Sequence, residues 1–530
     1  MLNTHRAYNG MVVAPHHLAS QAGLRVLQEG GNAVEAMIAA ASTIAIVYPH
    51  MNGLGGDNFW LVHSPKHKVY AIDACGGAAG LATLDFYKEH NCKQIPDRGP
   101  MAAITMAGAV SGWQKAHEYS QKALGGKLPL SRLLEDAIHY AGEGVAVTGT
   151  LANNAAAKFS QLEAQPGFKE IYAPNGKTVV EGSRLLQPKV QATLQALVKN
   201  GLDDFYHGEL AASMASDLEK TGSPIRHDDF TRHTAITPDP LSLDIAGHKV
   251  YNMPPPTQGL ASLLLLGVYE KLGAQHKEDA DFIHALVEST KCAFRVRDAH
   301  VSDPEFMKVA AESFLNDATL DKMVASVDAN KAAPWPDAAT SGDTVWLGAI
   351  DKQGNAVSFI QSVYWEFGSG VVLQDTGVTW QNRGTSFSLD AAHHNYLAPH
   401  RRPFHTIQPA LAKLADGRVI SYGTMGGEGQ PQTQAMIFAR YVLNQMPLQT
   451  AISAPRWLLG RTWGSEATNL RIENRFDQTV FDTLKQRGHD VEVVGDFEEI
   501  MGHAGALVFN NDGLIEAAAD PRSDGSAAGF

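Results

Sequence analysis

The chain is predicted to fold as an α+β protein, a four-layer αββα sandwich. Three observations carry that expectation. A helix signal over Ala33 to Val47 is apolar on nearly every face, strand-turn-strand signals recur after Thr344, and a long stretch from Ser131 to Glu288 reads as mainly helical.

In chain order, Leu18, Ala22, Leu24, Val26 and Leu27 recur at helical spacing, and Gly30-Gly31 supplies the left-handed stop. Asn32 caps the next helix, Ala33 to Val47, which suits a position between layers. The glycine-rich turn from Tyr48 to Asp57 precedes strand signals at Asn58 to Val62 and Val69 to Asp73. Loops at Gly142 to Gly144, Pro174 to Gly176 and Pro254 to Gly259 interrupt the helical layer. A helix over Asp281 to Arg297 is stopped by Asp303-Pro304, and a polar, alanine-rich linker runs from Ala325 to Gly342. Hairpin signals follow: Val345 to Ile350 with Ala356 to Ser362, Ala410 to Leu414 with Arg418 to Tyr422, and Gly505 to Phe509 with Leu514 to Ala518. A helix over Gln432 to Leu443 separates the last two. No internal repeat is present.

The 530 residues suffice for one large, well-buried globule. A net charge of -13, from 43 basic and 56 acidic side chains with no basic stripe, argues against nucleic-acid partners. Three scattered cysteines, Cys75, Cys92 and Cys292, fit a reducing compartment better than a disulfide framework or a zinc site. No secretory leader and no membrane-length apolar run is read, so the expected location is the cytoplasm and no membrane partner is expected.

The chemistry centres on the Asp343-Thr344 junction, where the linker meets a strand. Cleavage before Thr344 would free an α-amine with an ordinary pKa of about 8, close enough to neutrality to act as base for the residue's own hydroxyl. A threonine at a strand start is ordinarily only β-propensity. The surrounding motifs give it a different weight.

Asn52-Gly-Leu-Gly-Gly56, Pro254-Pro-Pro-Thr-Gln-Gly259, Thr344 through Val357, Phe367-Gly-Ser-Gly370, Gly423-Thr-Met-Gly-Gly427 and Asp520-Pro-Arg522 occur in that order. On these motifs the chain resembles the γ-glutamyltranspeptidase family over about Gly10 to Phe530. The resemblance implies an N-terminal-nucleophile hydrolase. A precursor would cleave itself into a large subunit, 1–343, and a small subunit, 344–530, which together form one αββα domain. Thr344 would be the nucleophile, Gly426 and Gly427 the oxyanion hole, and Ser362 the hydroxyl that holds the amine. The reaction needs no metal or organic cofactor, and none is expected.

Departures from the family pattern bear on the substrate. The arginine that grips a γ-glutamyl carboxylate falls on Cys75, an asparagine falls on Tyr364, and a serine pair falls on His405-Thr406. Acidic residues after Asn382 are replaced by Arg383-Gly-Thr-Ser386. Arg383 offers a rigid fork for one carboxylate, with Tyr364, His405 and Thr406 as neutral donors around a smaller space. The expected partner is a small amide bearing a carboxylate, and the resemblance is greatest to the family's oxamate amidohydrolase branch. The alternatives are γ-glutamyl transfer or glutathione hydrolysis, acylase activity on larger amides, and an unprocessed, non-catalytic binding protein. A second copy of the processed pair is a further option as partner. Plainer readings stand beside these: Arg383 as a surface ion pair, His405 as a hydrogen-bonded core histidine, Cys75 as a small buried apolar residue, and the glycines at 53 to 56 as a structural turn.

Overall fold

The structure, a computed structural model, describes residues 2–273, 278–335, 343–460 and 467–530, with the backbone alone at Asp343. Two antiparallel sheets lie face to face. One, of 6 strands, runs in the order Ser526–Gly529, Gly10–Ala14, Asp343–Asp351, Ala356–Tyr364, Asp57–Ser64 and His67–Ala74. The other, of 7, runs His5–Ala7, Ile515–Ala519, Ala504–Phe509, Val419–Thr424, Ala410–Lys413, His248–Asn252 and Leu241–Ile245. Strand alternation sends Phe59, Leu61, Trp346, Ile350 and Ile360 to meet Leu411, Leu507 and Ala517 between the sheets. The opposite faces are covered by helices, including Ala33–Val47 on the first sheet and Gly259–Leu272, Ala280–His300 and Gly429–Phe438 on the second. This is the expected αββα sandwich.

Local chemistry explains how the buried helix is seated. Asn32 and Glu35 form a capping box at the start of Ala33–Val47, and every residue of that helix is buried. Its first amide, Ala33 N, donates to Asp351 Oδ2 at 2.9 Å, while Asp351 Oδ1 accepts from the Gln353 and Asn355 amides. One carboxylate therefore closes a hairpin and anchors a helix terminus.

Two expectations are corrected. Residues 241–252, read as part of the helical layer, form an edge hairpin of the second sheet. The linker is not loose throughout: Ala332 N donates to Arg487 O at 2.8 Å, Lys291 Nζ to Ala333 O at 2.7 Å and Arg295 Nη2 to Pro334 O at 2.9 Å. These bonds hold its first half against the helix Ala280–His300 and the turn after Gln478–Gln486. The rest of the linker, 336–342, lies outside the described residues. Among the described residues, no helix is long and apolar enough to cross a membrane.

The Asp520-Pro-Arg522 motif proves to be a buried ion network. Asp520 meets Arg456 at 2.6 Å and Arg522 at 3.1 Å, and Arg522 meets Glu473 at 2.6 Å. Burial pushes the Asp520 carboxyl up, but the two arginine charges and the Ala504 and Arg522 amides outweigh it and hold it below its ordinary range. Its stabilisation is therefore complete above the unfolded-state value of about 4 and is lost as pH falls through the lower folded-state value. Asp520→Ala takes the carboxylate from the buried Arg456 guanidinium and leaves Arg522 with Glu473 alone, and is expected to cost about 3–5 kcal/mol, read as a lower urea midpoint.

Candidate active site

The register of the first sheet places three polar residues in one row. Val345 pairs with Gln361 and Asp343 with Tyr364, with a shift between, so Thr344 faces the bulge at Ser362–Val363. On the next strand Ser362 pairs with Asp57. Period-2 alternation turns Thr344, Ser362 and Asp57 to the side of Trp346, Ile360 and Phe59, between the sheets, and all three are fully buried. Gln430 Nε2, from the first turn of Gly429–Phe438, donates to Thr344 Oγ1 at 3.4 Å.

The glycine pair precedes the same helix, and Gly427 O accepts from the Gln430 backbone amide at 3.3 Å. Gly426 and Gly427 have φ of 113° and 52°, so both occupy positions that favour glycine. Their carbonyls are tied down: Gly426 O accepts from Gly429 N at 2.8 Å, and Gly427 O accepts from Gln258 Nε2 at 2.8 Å. A carbonyl shares its plane with the next residue's amide, so the bond to Gly426 O orients the Gly427 N–H, and the Gly426 N–H is oriented by Thr424 Oγ1, which donates to Met425 O at 2.8 Å, at the mouth of a helix N-terminus. Arg297 clamps the arrangement by donating to Gln258 Oε1 at 3.0 Å and to Glu428 Oε1 at 2.7 Å.

Arg383 is fully buried, which overturns its reading as a surface ion pair. Its guanidinium lies 3.8 Å from the centre of the Tyr364 ring, and Tyr364 itself is held at φ 83°, a strained position for a bulky residue. Nη1 reaches Thr406 Oγ1 at 3.3 Å and Nη2 reaches Ser362 Oγ at 3.5 Å, while Nε has no hydrogen-bond partner. Among the described residues, no carboxylate lies within ion-pair distance of this cation. Burial pulls its pKa down to about 10, against the opposing influence of Tyr364, Asp57 and Cys75. A buried cation held only by neutral hydroxyls and an aromatic face is costly unless an anion joins it.

His405 is fully buried and hydrogen-bonded, as its plainer reading supposed. Nδ1 meets Pro403 O at 2.8 Å and Nε2 meets Asp57 Oδ2 at 3.0 Å. Burial, reinforced by Arg383, lowers its pKa, and Asp57 opposes the shift. Cys75 is buried in the same neighbourhood, and burial drives its thiol pKa well up, which leaves it uncharged at neutral pH. The glycine turn is structural: a Cβ on Gly56 would meet Ser362 O at 2.1 Å, so glycine is what lets this turn approach the site strand.

The structure thus brings together Thr344, Ser362, Tyr364, Arg383, His405, Thr406, Gly426 and Gly427, with only the Asp343 side chain outside the described residues. Sequence reasoning missed Asp57, Gln258 and Gln430. Among the described residues one cluster has metal-ligand types, His284, Glu288 and His489. Its donors are engaged with one another, with Lys291, and with the Asp328 carbonyl and Ala333 amide of the linker, so it serves as a clasp.

Known proteins resemble this chain along almost its whole length. The sequence profile of the γ-glutamyltranspeptidase family matches residues 19–530. The chain is 52% identical over 522 residues to the oxamate amidohydrolase proenzyme of Klebsiella pneumoniae, covering 98% of each chain. It is 42% identical to a glutathione hydrolase-like proenzyme of Bacillus subtilis, again covering 98% of each. The crystal structure of cephalosporin acylase from Bacillus halodurans superposes with a TM-score of 0.92 at 32% identity, over 100% of this chain and 97% of that one. The chain belongs to the γ-glutamyltranspeptidase family and is a hydrolase of C–N bonds built on its N-terminal-nucleophile sandwich.

Proposed function

We propose that the chain is a precursor that cleaves itself between Asp343 and Thr344, and that Thr344 then hydrolyses a small carboxylate-bearing amide, with oxamate as the substrate. The observation that carries the substrate reading is the buried Arg383 guanidinium, which has no carboxylate partner among the described residues. In oxamate the carboxylate and the amide carbonyl sit on adjacent carbons. That short span suits an anchor and a nucleophile that both border Ser362. The similarity to the Klebsiella pneumoniae oxamate amidohydrolase proenzyme supports the same substrate.

In this mechanism Arg383 holds the carboxylate by charge-assisted hydrogen bonds, with the Thr406 hydroxyl beside it. The freed α-amine of Thr344 takes the hydroxyl proton as Oγ1 attacks the amide carbon. The Gly426 and Gly427 amides receive the oxyanion, a type of contact whose loss costs about 3–4 kcal/mol. The C–N bond breaks, ammonia leaves with the proton held by the amine, and an ester remains on Thr344. Water, deprotonated by the same amine, releases oxalate. The self-cleavage product would be a large subunit 1–343 and a small subunit 344–530.

A side-by-side assay tests the substrate. Ammonia release from oxamate is expected to exceed chromophore release from a γ-glutamyl anilide, and the opposite ranking returns the chain to γ-glutamyl chemistry.

A further inference from the structure

Asp57 and His405 form a contact whose proton count has a consequence for ligand binding. Both ring nitrogens of His405 face oxygen atoms, the Pro403 carbonyl at 2.8 Å and Asp57 Oδ2 at 3.0 Å. A carbonyl can only accept, so Nδ1 carries a hydrogen. The Nε2 to Oδ2 contact then needs a second proton between them. A neutral imidazole beside an ionised carboxylate would set a bare lone pair against an oxygen at one end or the other. Asp57 Oδ1 is already used, accepting from Gly76 N at 3.1 Å and Gly108 N at 3.0 Å. While the shared proton is held, wherever it rests, the two side chains together carry no net charge.

Arg383 reaches Ser362, the register partner of Asp57, and Thr406, the chain neighbour of His405. We propose that Asp57 and His405 are a one-proton positioning pair that sets the charge of the Arg383 pocket. Neutral together, they leave the guanidinium to the substrate carboxylate; deprotonated, they place a competing negative charge beside it. The inference rests on the carboxylate reading of Arg383 and adds to it a pH dependence and two residues that decide specificity for anionic amides.

The other titratable groups against the pair are Tyr206, His233 and Cys75. Burial pushes the Tyr206 phenol and the Cys75 thiol up and brings His233 down to about 4, so all three stay neutral from about pH 5 into the mildly alkaline range. Arg402, near Cys75, is neutralised by Asp73 at 2.9 Å and Asp303 at 3.1 Å. The freed amine of Thr344 titrates in the same range, and it is common to every variant compared.

The test is calorimetric binding of oxalate to the processed protein from pH 5 to 9, alongside Asp57→Asn and His405→Gln, with self-cleavage and melting temperature as checks on folding. An asparagine at 57 keeps an oxygen for the two backbone amides and supplies a fixed N–H to His405, so that variant remains neutral. A glutamine at 405 gives an N–H to an ionised Asp57, so that variant is always negative. Wild-type affinity is expected to fall by up to about tenfold per pH unit above the pair's titration. Asp57→Asn is expected to bind tightly and to lose this alkaline fall, and His405→Gln to bind weakly at every pH. An alkaline fall that persists unchanged in Asp57→Asn overturns the pair's role, as does wild-type affinity in His405→Gln. Should Asp57→Asn fail to fold, the His405→Gln result decides alone. A wild-type protein that does not bind oxalate at all overturns the carboxylate reading itself, a result distinct from binding without the predicted difference between variants.

Discussion

Thr344→Ala is expected to remain a single 530-residue chain with no measurable amide hydrolysis. The reason is positional. Thr344 is fully buried at the bulge beside Ser362, with Gln430 donating to its hydroxyl and the Gly426–Gly427 turn bonded to the backbone amide of that same Gln430. Alanine keeps the strand and its register but removes the oxygen that, in the proposed mechanism, forms both the cleavage intermediate and the acyl ester. Loss of a nucleophile lowers turnover on the order of 10⁶-fold in comparable hydrolases, so residual activity sits at background. Thr344→Ser keeps the oxygen and loses only the methyl that restricts χ1, so it retains slower cleavage and slower turnover. Denaturing electrophoresis reads the first effect and ammonia release the second. Cleavage at this bond in the alanine variant contradicts the mechanism.

Arg383→Met is expected to move stability and activity in opposite directions. The guanidinium is buried over the Tyr364 ring, its Nε has no partner, and its two long contacts go to hydroxyls. Desolvating such a charge costs several kcal/mol, and an apolar side chain of similar length removes that cost. The variant is therefore expected to unfold at no lower temperature than wild type and to process normally. In the proposed mechanism, hydrolysis of oxamate depends on a charge-assisted bond worth about 1.5–3 kcal/mol, so kcat/KM is expected to fall by roughly 10- to 150-fold or more. Arg383→Lys is not a rescue, because an ammonium cannot present two parallel donors to a carboxylate. Unchanged kinetics with oxamate, or a large loss of stability, returns Arg383 to a structural role.

How much of this was legible follows the range of the interactions. The helix Ala33–Val47 was readable to its ends because its cap is local, Asn32 with Glu35. The hairpin around Asp351 was readable because its turn bonds span four residues. The hairpin Leu241–Ile245 with His248–Asn252 escaped because its tight turn is built on Ala246 and Gly247, with φ of 49° and 80°. Asparagine or aspartate is the usual signal at the first of those positions. In the site, residues inside ordered motifs, such as Gly426, Gly427 and Thr344, could be named in advance. Asp57 and Gln430 could not, since their partners His405 and Thr344 are 348 and 86 residues away and nothing local marks either residue. Arg383 was visible as a departure in the sequence, but its burial without a carboxylate is a property of the packed sandwich alone.

The central claim is that Thr344 becomes a chain terminus and works as one. Intact-mass analysis of the purified wild-type protein under denaturing conditions, with N-terminal sequencing of each species, tests it most directly. Two fragments that together account for the whole chain, the smaller beginning at Thr344, are the predicted result. A full-length species that persists while the preparation hydrolyses oxamate contradicts it.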